Sequence, residues 1–125
     1  GNLQTNIFDD AEKIGDTTFI VKKVSVGSMD ELKSLGDQVF KKLPGGIAVP
    51  FSEGEEKPMA LVVVAKKFNK KGVAAGDIAR KIGKIMGGGG GGKPHMATAG
   101  GKNNSVLNPA LEEAYNMIKD IIKGM

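Results

Sequence analysis

Apolar residues recur at helical spacing in three parts of the chain, and each part is bounded by a recognisable signal. The first predicted helix covers Met29 to Leu43 and follows a capping box formed by Ser28 and Glu31. Two further helices are predicted from Val73 to Met86, where a glycine tract begins, and from Leu107 to Lys123. The chain is therefore expected to contain at least three helices, each with one apolar side.

Three other stretches have the composition of β-strands. Thr17 to Val26 is rich in β-branched residues, and Ile47 to Phe51 contains Pro50, which favours a sheet edge or a strand end. Met59 to Ala65 is apolar without interruption, as in a strand covered on both faces. Residues 93–104 are predicted to be irregular. The order β-α-β-β-α-loop-α indicates an α/β (α+β) fold, a small mixed sheet with packed helices and a glycine-rich loop between the last two helices.

The N-terminal segment is a candidate linker. The apolar residues of Leu3 to Ile14 have helical spacing, and the sequence begins without an initiator methionine. We therefore expect residues 1–15 to be the end of a helical linker from an upstream domain. Residues 16–125 are expected to form one globular domain, which suits a chain of 125 residues.

The composition excludes several kinds of chemistry. The chain has no cysteine, so disulfide scaffolds and cysteine metal sites are excluded. The single histidine, His95, has no second metal-binding residue near it in sequence and is expected to be an exposed loop residue. The glutamates of residues 53–56 are interpreted as an acidic turn. We expect no catalytic residue, no metal and no cofactor, and the longest apolar run is too short to span a membrane.

The net charge of +4 is unevenly distributed along the chain. Residues 57–102 carry ten cations and one anion, which gives +9, whereas residues 1–56 carry −4 and the remainder −1. Such an excess is typical of a protein that binds a polyanion, although a lysine-rich face is often only solvated surface. The candidate nucleic-acid contacts are Lys66, Lys67, Lys70, Lys71, Arg80, Lys81, Lys84, Gly90, Gly91, Gly92, Lys93 and Lys102.

Aromatic residues are scarce, since the chain has five phenylalanines, one tyrosine and no tryptophan. Proteins that bind single strands usually offer several aromatic side chains for base stacking, so this scarcity favours folded RNA, recognised by its backbone and shape. Phe68 is the one aromatic residue of the basic segment, and we expect it in the core.

The glycine tract and the residues after it, GGGGGGKPHMATAGG, occupy positions 87–101. Glycines let backbone N–H groups converge on an anion, or let another backbone approach closely. A phosphate-binding loop of the nucleotide hydrolases requires Ser or Thr after its lysine, whereas Pro94 follows Lys93 here. A dinucleotide-binding motif requires a strand before its glycines, where this chain has a predicted helix. Neither motif is present.

The same stretch resembles the glycine-rich signature of the domain associated with DHH phosphoesterases, which is also the C-terminal domain of alanyl-tRNA synthetases. The synthetase signature has glycines around one variable position, a basic residue, a proline and then Ala-x-Ala-Gly-Gly. The matching residues are Gly87, Gly88, Gly90, Gly91, Gly92, Lys93, Pro94, Ala97, Ala99, Gly100 and Gly101. The phosphoesterase signature usually has histidine in place of Lys93, which favours the synthetase branch. Gly89 stands where the family tolerates a larger residue.

The resemblance, which spans about residues 14–123, implies a non-catalytic domain that binds the elbow of tRNA through phosphate and shape contacts. It implies a cytoplasmic parent protein, an alanine–tRNA ligase, whose upstream aminoacylation and editing domains this domain supports. The implied partner is tRNA, namely tRNA-Ala. No membrane partner is expected.

Two alternatives remain open. The chain could be the nucleic-acid-binding half of a DHH-type phosphoesterase, although it has no Asp-His-His motif of its own. It could also be a dimerisation module, in which the glycines make a close helix–sheet contact and the partner is a second copy of the chain.

Overall fold

The computed structural model describes residues 11–42, 45–55 and 57–124. These residues form a mixed sheet of six strands and four α-helices, which confirms the predicted fold class. The strands are Glu12–Ile14 (β1), Thr17–Lys23 (β2), Ile47–Glu53 (β3), Pro58–Val64 (β4), Gly89–Gly92 (β5) and Met96–Gly100 (β6). The helices are Met29–Lys42 (α1), a single turn at Lys66–Asn69 (α2), Ala75–Ile85 (α3) and Leu107–Lys123 (α4), the last preceded by a 3-10 turn at Asn104–Val106.

The strands are arranged in the order β1-β2-β3-β4-β6-β5. β2 and β3 are parallel and are connected by α1, whereas the other neighbouring pairs of these strands are antiparallel. This topology decides which chain segments meet at each end of the sheet. β2 and β3 begin at the end where β4 stops, so the residues just before β3 and just after β4 lie close together there.

Helices cover the sheet on both faces. On one face α1 packs its apolar side, with Leu32, Leu35 and Val39, onto Leu61 and Val63 of β4. On the other face α3 and α4 bury a larger set that includes Phe19, Val49, Phe51, Val62, Val64, Ile78, Ile82 and Ile118. β4 is thus buried on both sides, as its uninterrupted apolar sequence predicts. Burying each large apolar side chain contributes about 1.5–3 kcal/mol relative to leaving it exposed.

The start of α1 is capped by Ser28 and Glu31, with the Glu31 carboxylate bonded one residue before Ser28 instead of to Ser28 itself. The Ser28 Oγ accepts a hydrogen bond from the Glu31 backbone N–H at 3.2 Å, and the Glu31 carboxylate accepts one from the Gly27 backbone N–H at 3.1 Å. Both N–H groups precede the first intrahelical hydrogen bonds and would otherwise depend on water. At the other end of α1, Lys41 and Lys42 lie in the last turn, where the helix dipole favours cations.

The prediction of a helix from Leu3 to Ile14 is wrong over residues 12–14, which form β1. The part of that prediction up to residue 10 lies outside the described residues. β1 pairs antiparallel with β2, and the Tyr115 hydroxyl of α4 donates a hydrogen bond to the Glu12 carboxylate at 2.7 Å. Pairing with an existing sheet edge satisfies the backbone of this short segment and outweighs its helical apolar spacing.

Pro50 is placed differently from its prediction, because it lies inside β3, between β2 and β4, rather than at an edge or a strand end. The pairing of β3 with β4 runs from Ile47 to Glu53 but omits Val49 and Pro50. Proline has no N–H to donate, so the ladder is interrupted locally and resumes at Phe51. Five register pairs with β2 hold the strand in place at this point.

In the described part of the chain, no helix combines the length and the apolar character that a bilayer crossing requires.

Candidate nucleic-acid interface

The glycine tract continues into a β-hairpin, so the predicted glycine-rich loop and the irregular segment of residues 93–104 are wrong in part. β5 pairs antiparallel with β6, with Gly89 opposite Gly100 at one end of the ladder and Gly92 opposite Ala97 at the other. The Lys93 N–H donates to the Met96 carbonyl at 3.0 Å, which leaves Pro94 and His95 as the turn. Glycine has a low strand propensity, but β6 completes the open edge of β4 and β5 follows as its hairpin partner.

The glycines allow α3 to lie directly against the backbone of β5. A Cβ on Gly83 of α3 would lie 2.4 Å from the carbonyl carbon of Gly89, and one on Gly90 would lie 2.3 Å from the carbonyl oxygen of Ala79. Contacts this short do not occur between real Cβ atoms and backbone. Close approach of a second backbone, one of the two uses expected for the glycines, is therefore the one that the structure shows.

The other expected use, a set of N–H groups converging on an anion, does not fit an extended strand. Because Lys93 bonds to Met96, the N–H groups of Gly89 and Gly91 point toward β6. Those of Gly90 and Gly92 point the opposite way, toward the edge of the sheet. The three glycines predicted as contacts thus lie in an edge strand, Gly90 and Gly91 half-buried and Gly92 exposed.

Gly89 has open space where a side chain would project. An added Cβ there would have no atom within 4 Å, and at Gly91 the nearest atom would be the Arg80 Nη1 at 3.9 Å. The chain therefore has room for a larger residue at this position, as the signature resemblance predicts.

One end of the sheet gathers the lysines that follow β4 and β5. The Asn69 side-chain amide donates to the Val73 carbonyl at 2.8 Å and to the Pro94 carbonyl at 2.9 Å. The backbone N–H of Val64 also donates to the His95 carbonyl at 3.0 Å. These bonds hold the hairpin turn against the α2 segment, and five predicted contacts are brought together there, all exposed: Lys66, Lys67, Lys70, Lys71 and Lys93.

Three further lysines reach the same end but were missed by the sequence interpretation. Lys41 and Lys42 end α1, which returns to the start of β3, and Lys123 ends α4, which returns from the far end of β6. They lie outside the basic segment of residues 57–102, and only the crossover topology places them beside it. The eight exposed lysines at this end of the sheet form the lysine end: Lys41, Lys42, Lys66, Lys67, Lys70, Lys71, Lys93 and Lys123.

The remaining predicted cations lie along α3 and beyond it. Arg80, Lys81 and Lys84 are exposed on α3, which runs from the lysine end toward the opposite end of the sheet. Arg80 forms an exposed ion pair with Asp77, one turn earlier, so its charge is partly neutralised. Lys102 lies at the opposite end, where its backbone N–H donates to the Met86 carbonyl at 3.0 Å.

Acidic residues are concentrated at the end of the sheet opposite the lysine end. Asp30 and Glu31 begin α1, and Glu53 and Glu55 lie at the turn between β3 and β4. Glu53 forms an exposed ion pair with Lys23 at 3.5 Å. Within the residues that the structure describes, no group of three or more acidic or histidine side chains is placed to bind a metal.

Two residues near the lysine end are placed as the sequence predicts. Phe68 is 2% exposed and belongs to the core, so it is not available for base stacking. His95 is exposed in the hairpin turn, with its ring edge against Phe40 and 6.0 Å between the ring centroids.

The fold and the site define a small mixed α/β domain with a cluster of exposed lysines at one end of its sheet and a mixture of acidic and basic groups at the other. The sequence model of the DHHA1 domain matches residues 16–124, so the chain belongs to the DHHA1 domain family.

Curated relatives of the chain include alanine–tRNA ligases. The chain is 42% identical over 112 residues to that of Lacticaseibacillus paracasei and 35% identical over 118 residues to that of Alkaliphilus metalliredigens. These matches cover 90% and 94% of the chain but only 13% of each relative. The solved C-Ala domain of Aquifex aeolicus alanyl-tRNA synthetase superimposes with a TM-score of 0.74 at 26% identity, covering 86% of this chain and 96% of that domain. The resemblance to the C-terminal domain of alanyl-tRNA synthetases is confirmed.

Proposed function

We propose that this chain is a non-catalytic tRNA-binding domain, which grips the elbow of tRNA-Ala through phosphate and shape contacts. In this proposal the parent protein is a cytoplasmic alanine–tRNA ligase. The domain would hold the tRNA while upstream domains of the same chain carry out aminoacylation and editing. The alanine–tRNA ligase relatives and the similarity to the C-Ala domain support this assignment.

The lysine end is the observation that carries the proposal. Eight exposed lysines lie there, and the carboxylates nearest in the topology are Asp16 of the β1–β2 turn, Asp77 in the first turn of α3 and Asp120 in the last turn of α4. Exposed ammonium groups on one side of a molecule replace the counterions of a nucleic-acid backbone, and the release of those ions favours binding. Phosphate contacts fix the orientation of the partner without reading its sequence.

The placement of the aromatic rings supports folded RNA as the ligand. Phe68 is buried, and Phe40 is half-buried and makes an edge-to-face contact with His95, so the lysine end offers few aromatic faces for stacking. Single-strand binders usually stack bases on exposed aromatic side chains. A cationic surface with few such platforms suits a partner with a fixed backbone shape, such as the elbow of tRNA.

Charge reversal tests the proposal directly. Changing Lys66, Lys67, Lys70 and Lys93 together to glutamate should abolish tRNA binding, measured by fluorescence anisotropy, while the far-UV circular dichroism spectrum stays unchanged. A matched pair of double variants separates position from net charge: Lys70→Glu with Lys93→Glu at the lysine end, against Lys23→Glu with Lys57→Glu at the opposite end. Equal loss of affinity in the two double variants would contradict a role for the lysine end.

The salt dependence of binding provides a second measurement. If five or six phosphates are contacted, log K should fall against log salt with a slope of about −3.5 to −5.5. The Lys70 and Lys93 double variant should have a shallower slope by about 1.4 to 1.8, because two phosphate contacts are lost. A slope near zero for the unaltered chain would show that phosphates do not dominate binding.

Neither alternative has comparable support. The close helix–sheet contact of the glycines is made within the chain, between α3 and β5, and needs no second copy. Sedimentation velocity of the chain with and without tRNA tests the homodimer. The relatives named above are ligases, which does not favour a phosphoesterase parent.

A further inference from the structure

The lysine end also contains an open pocket that the sequence interpretation did not anticipate. It has a volume of about 500 Å³ and lies between the β1–β2 turn, α2 and the C-terminal end of α4. Ile14, Phe68 and Ile122 contribute apolar walls. Pockets that hold small molecules usually have volumes of roughly 300–1,000 Å³ and combine apolar walls with a few polar groups. This pocket therefore has room for a single nucleotide unit.

Four charged side chains line the pocket: Asp16, Lys67, Lys71 and Lys123. In the described ranges none of the four forms an ion pair, and Lys67 lies over the ring of Phe68 with its Nζ 5.4 Å from the centroid. Three ammonium groups and one carboxylate give the pocket a local charge of +2. The carboxylate lowers the attraction for a phosphate, so a site for phosphate alone would be better without it.

We propose, on the basis of the tRNA-binding function above, that this pocket holds one ribonucleotide of the bound RNA. Lys71 and Lys123 neutralise its phosphate, and the Asp16 carboxylate accepts a hydrogen bond from the ribose 2′-hydroxyl. A carboxylate that accepts a hydrogen bond from ribose is a well-established way of recognising the sugar of a nucleotide. The 2′-hydroxyl is also the group that distinguishes RNA from DNA at a given position.

The charged residues that line this pocket have different roles in the proposed binding. Lys71 and Lys123 contact a phosphate, which RNA and DNA share, so they contribute equally to the affinity for both. Asp16 attracts only a ligand with a hydroxyl donor and repels the phosphates of any other, so it contributes to the preference for RNA. The ratio of the two affinities therefore measures Asp16 separately from the lysines.

The test compares a tRNA transcript with a DNA oligonucleotide of the same sequence. For the unaltered chain we expect tighter binding to the transcript. Asp16→Ala should lower RNA affinity about 5- to 20-fold, as for the loss of a partly exposed charged hydrogen bond, and should leave DNA affinity unchanged or higher. Lys71→Ala and Lys123→Ala should each lower the affinity for RNA and the affinity for DNA by the same factor. Lys57→Ala, at the opposite end of the sheet, is the matched control and should change neither.

The outcomes separate this inference from the function on which it rests. If the unaltered chain fails to bind the transcript, the tRNA-binding function is wrong and the pocket assignment falls with it. If the transcript binds but DNA binds equally well, or Asp16→Ala keeps the affinity ratio, the pocket assignment alone is overturned. If Asp16→Ala does not fold, Asp16→Asn is the deciding variant because it preserves the turn. It should lower the ratio of RNA affinity to DNA affinity, though less than Asp16→Ala would, and an unchanged ratio would overturn the pocket assignment.

Discussion

A single methyl group on either of two consecutive residues of β5 should have opposite consequences for stability. Gly90→Ala places a Cβ 2.3 Å from the carbonyl oxygen of Ala79 in α3, whereas Gly89→Ala places one in space with no atom within 4 Å. Neither glycine has a positive φ angle, so the comparison isolates packing from backbone strain. The two variants differ only in the side of the strand from which the methyl group projects.

The size of the effect follows from the distance. An ordinary contact begins at 3.4 Å, so α3 and β5 must separate by about 1.1 Å to accommodate the methyl group of Gly90→Ala. A gap of 0.5–1 Å forfeits roughly a quarter to a half of each dispersion contact across it. Overpacking of this kind costs about 1–3 kcal/mol. Gly89→Ala should change the free energy of unfolding by less than about 1 kcal/mol and is expected to raise it, because alanine restricts the unfolded chain.

Urea unfolding followed by far-UV circular dichroism measures both free energies. The unfolding midpoint of Gly90→Ala should fall with an unchanged slope against urea, since the exposed area on unfolding is the same. Equal midpoints for the two variants, or a larger loss for Gly89→Ala, would refute the packing of α3 on β5 described above.

Two further predictions concern hydrogen bonds. Ser28→Ala should lower the free energy of unfolding by about 1 kcal/mol in the same urea assay, because the Glu31 N–H loses its cap; no change would mean that water replaces the hydroxyl. The hydrogen bond to Glu12 is the main cause that raises the pKa of Tyr115 above its ordinary 10.0, with burial and the Glu12 charge as smaller causes. The contribution of Tyr115 to stability is therefore complete below pH 10.0 and is lost as the pH rises through the raised pKa. Absorbance titration of this single tyrosine should show the pKa falling in Glu12→Gln, and an unchanged pKa would contradict the bond.

The sequence predicts best the elements whose signals are local. α4 has the bounds predicted from Leu107 to Lys123, and α1 begins after Ser28 because the cap needs only Gly27, Ser28 and Glu31, which are close in sequence. The burial of β4 on both faces follows from its seven-residue apolar run. In each case the information lies within the segment itself.

Elements that depend on distant partners were not predicted. β6 has the sequence MATAG, which has no aromatic residue and little alternation, and it becomes a strand because β4 offers an open edge. Pro50 is tolerated in an inner strand because β2 holds the same strand from the other side.

The candidate site was predicted in part for the same reason. Charge counting along the sequence finds Lys66 to Lys71 and Lys93, which are near one another in the structure, and also Lys102, which lies at the other end. It misses Lys41, Lys42 and Lys123, because their position depends on the return of α1 and α4 to one end of the sheet.

The lysine end carries eight exposed lysines, whereas the other end mixes carboxylates with Lys23, Lys57 and Lys102, and this uneven charge has a consequence for encounters in solution. A molecule charged in this way experiences a torque in the field of a polyanion, which rotates the positive end toward the partner before the surfaces touch. A larger fraction of collisions then occurs in an orientation that allows binding. The association rate constant, more than the lifetime of the complex, should carry the sensitivity to ionic strength.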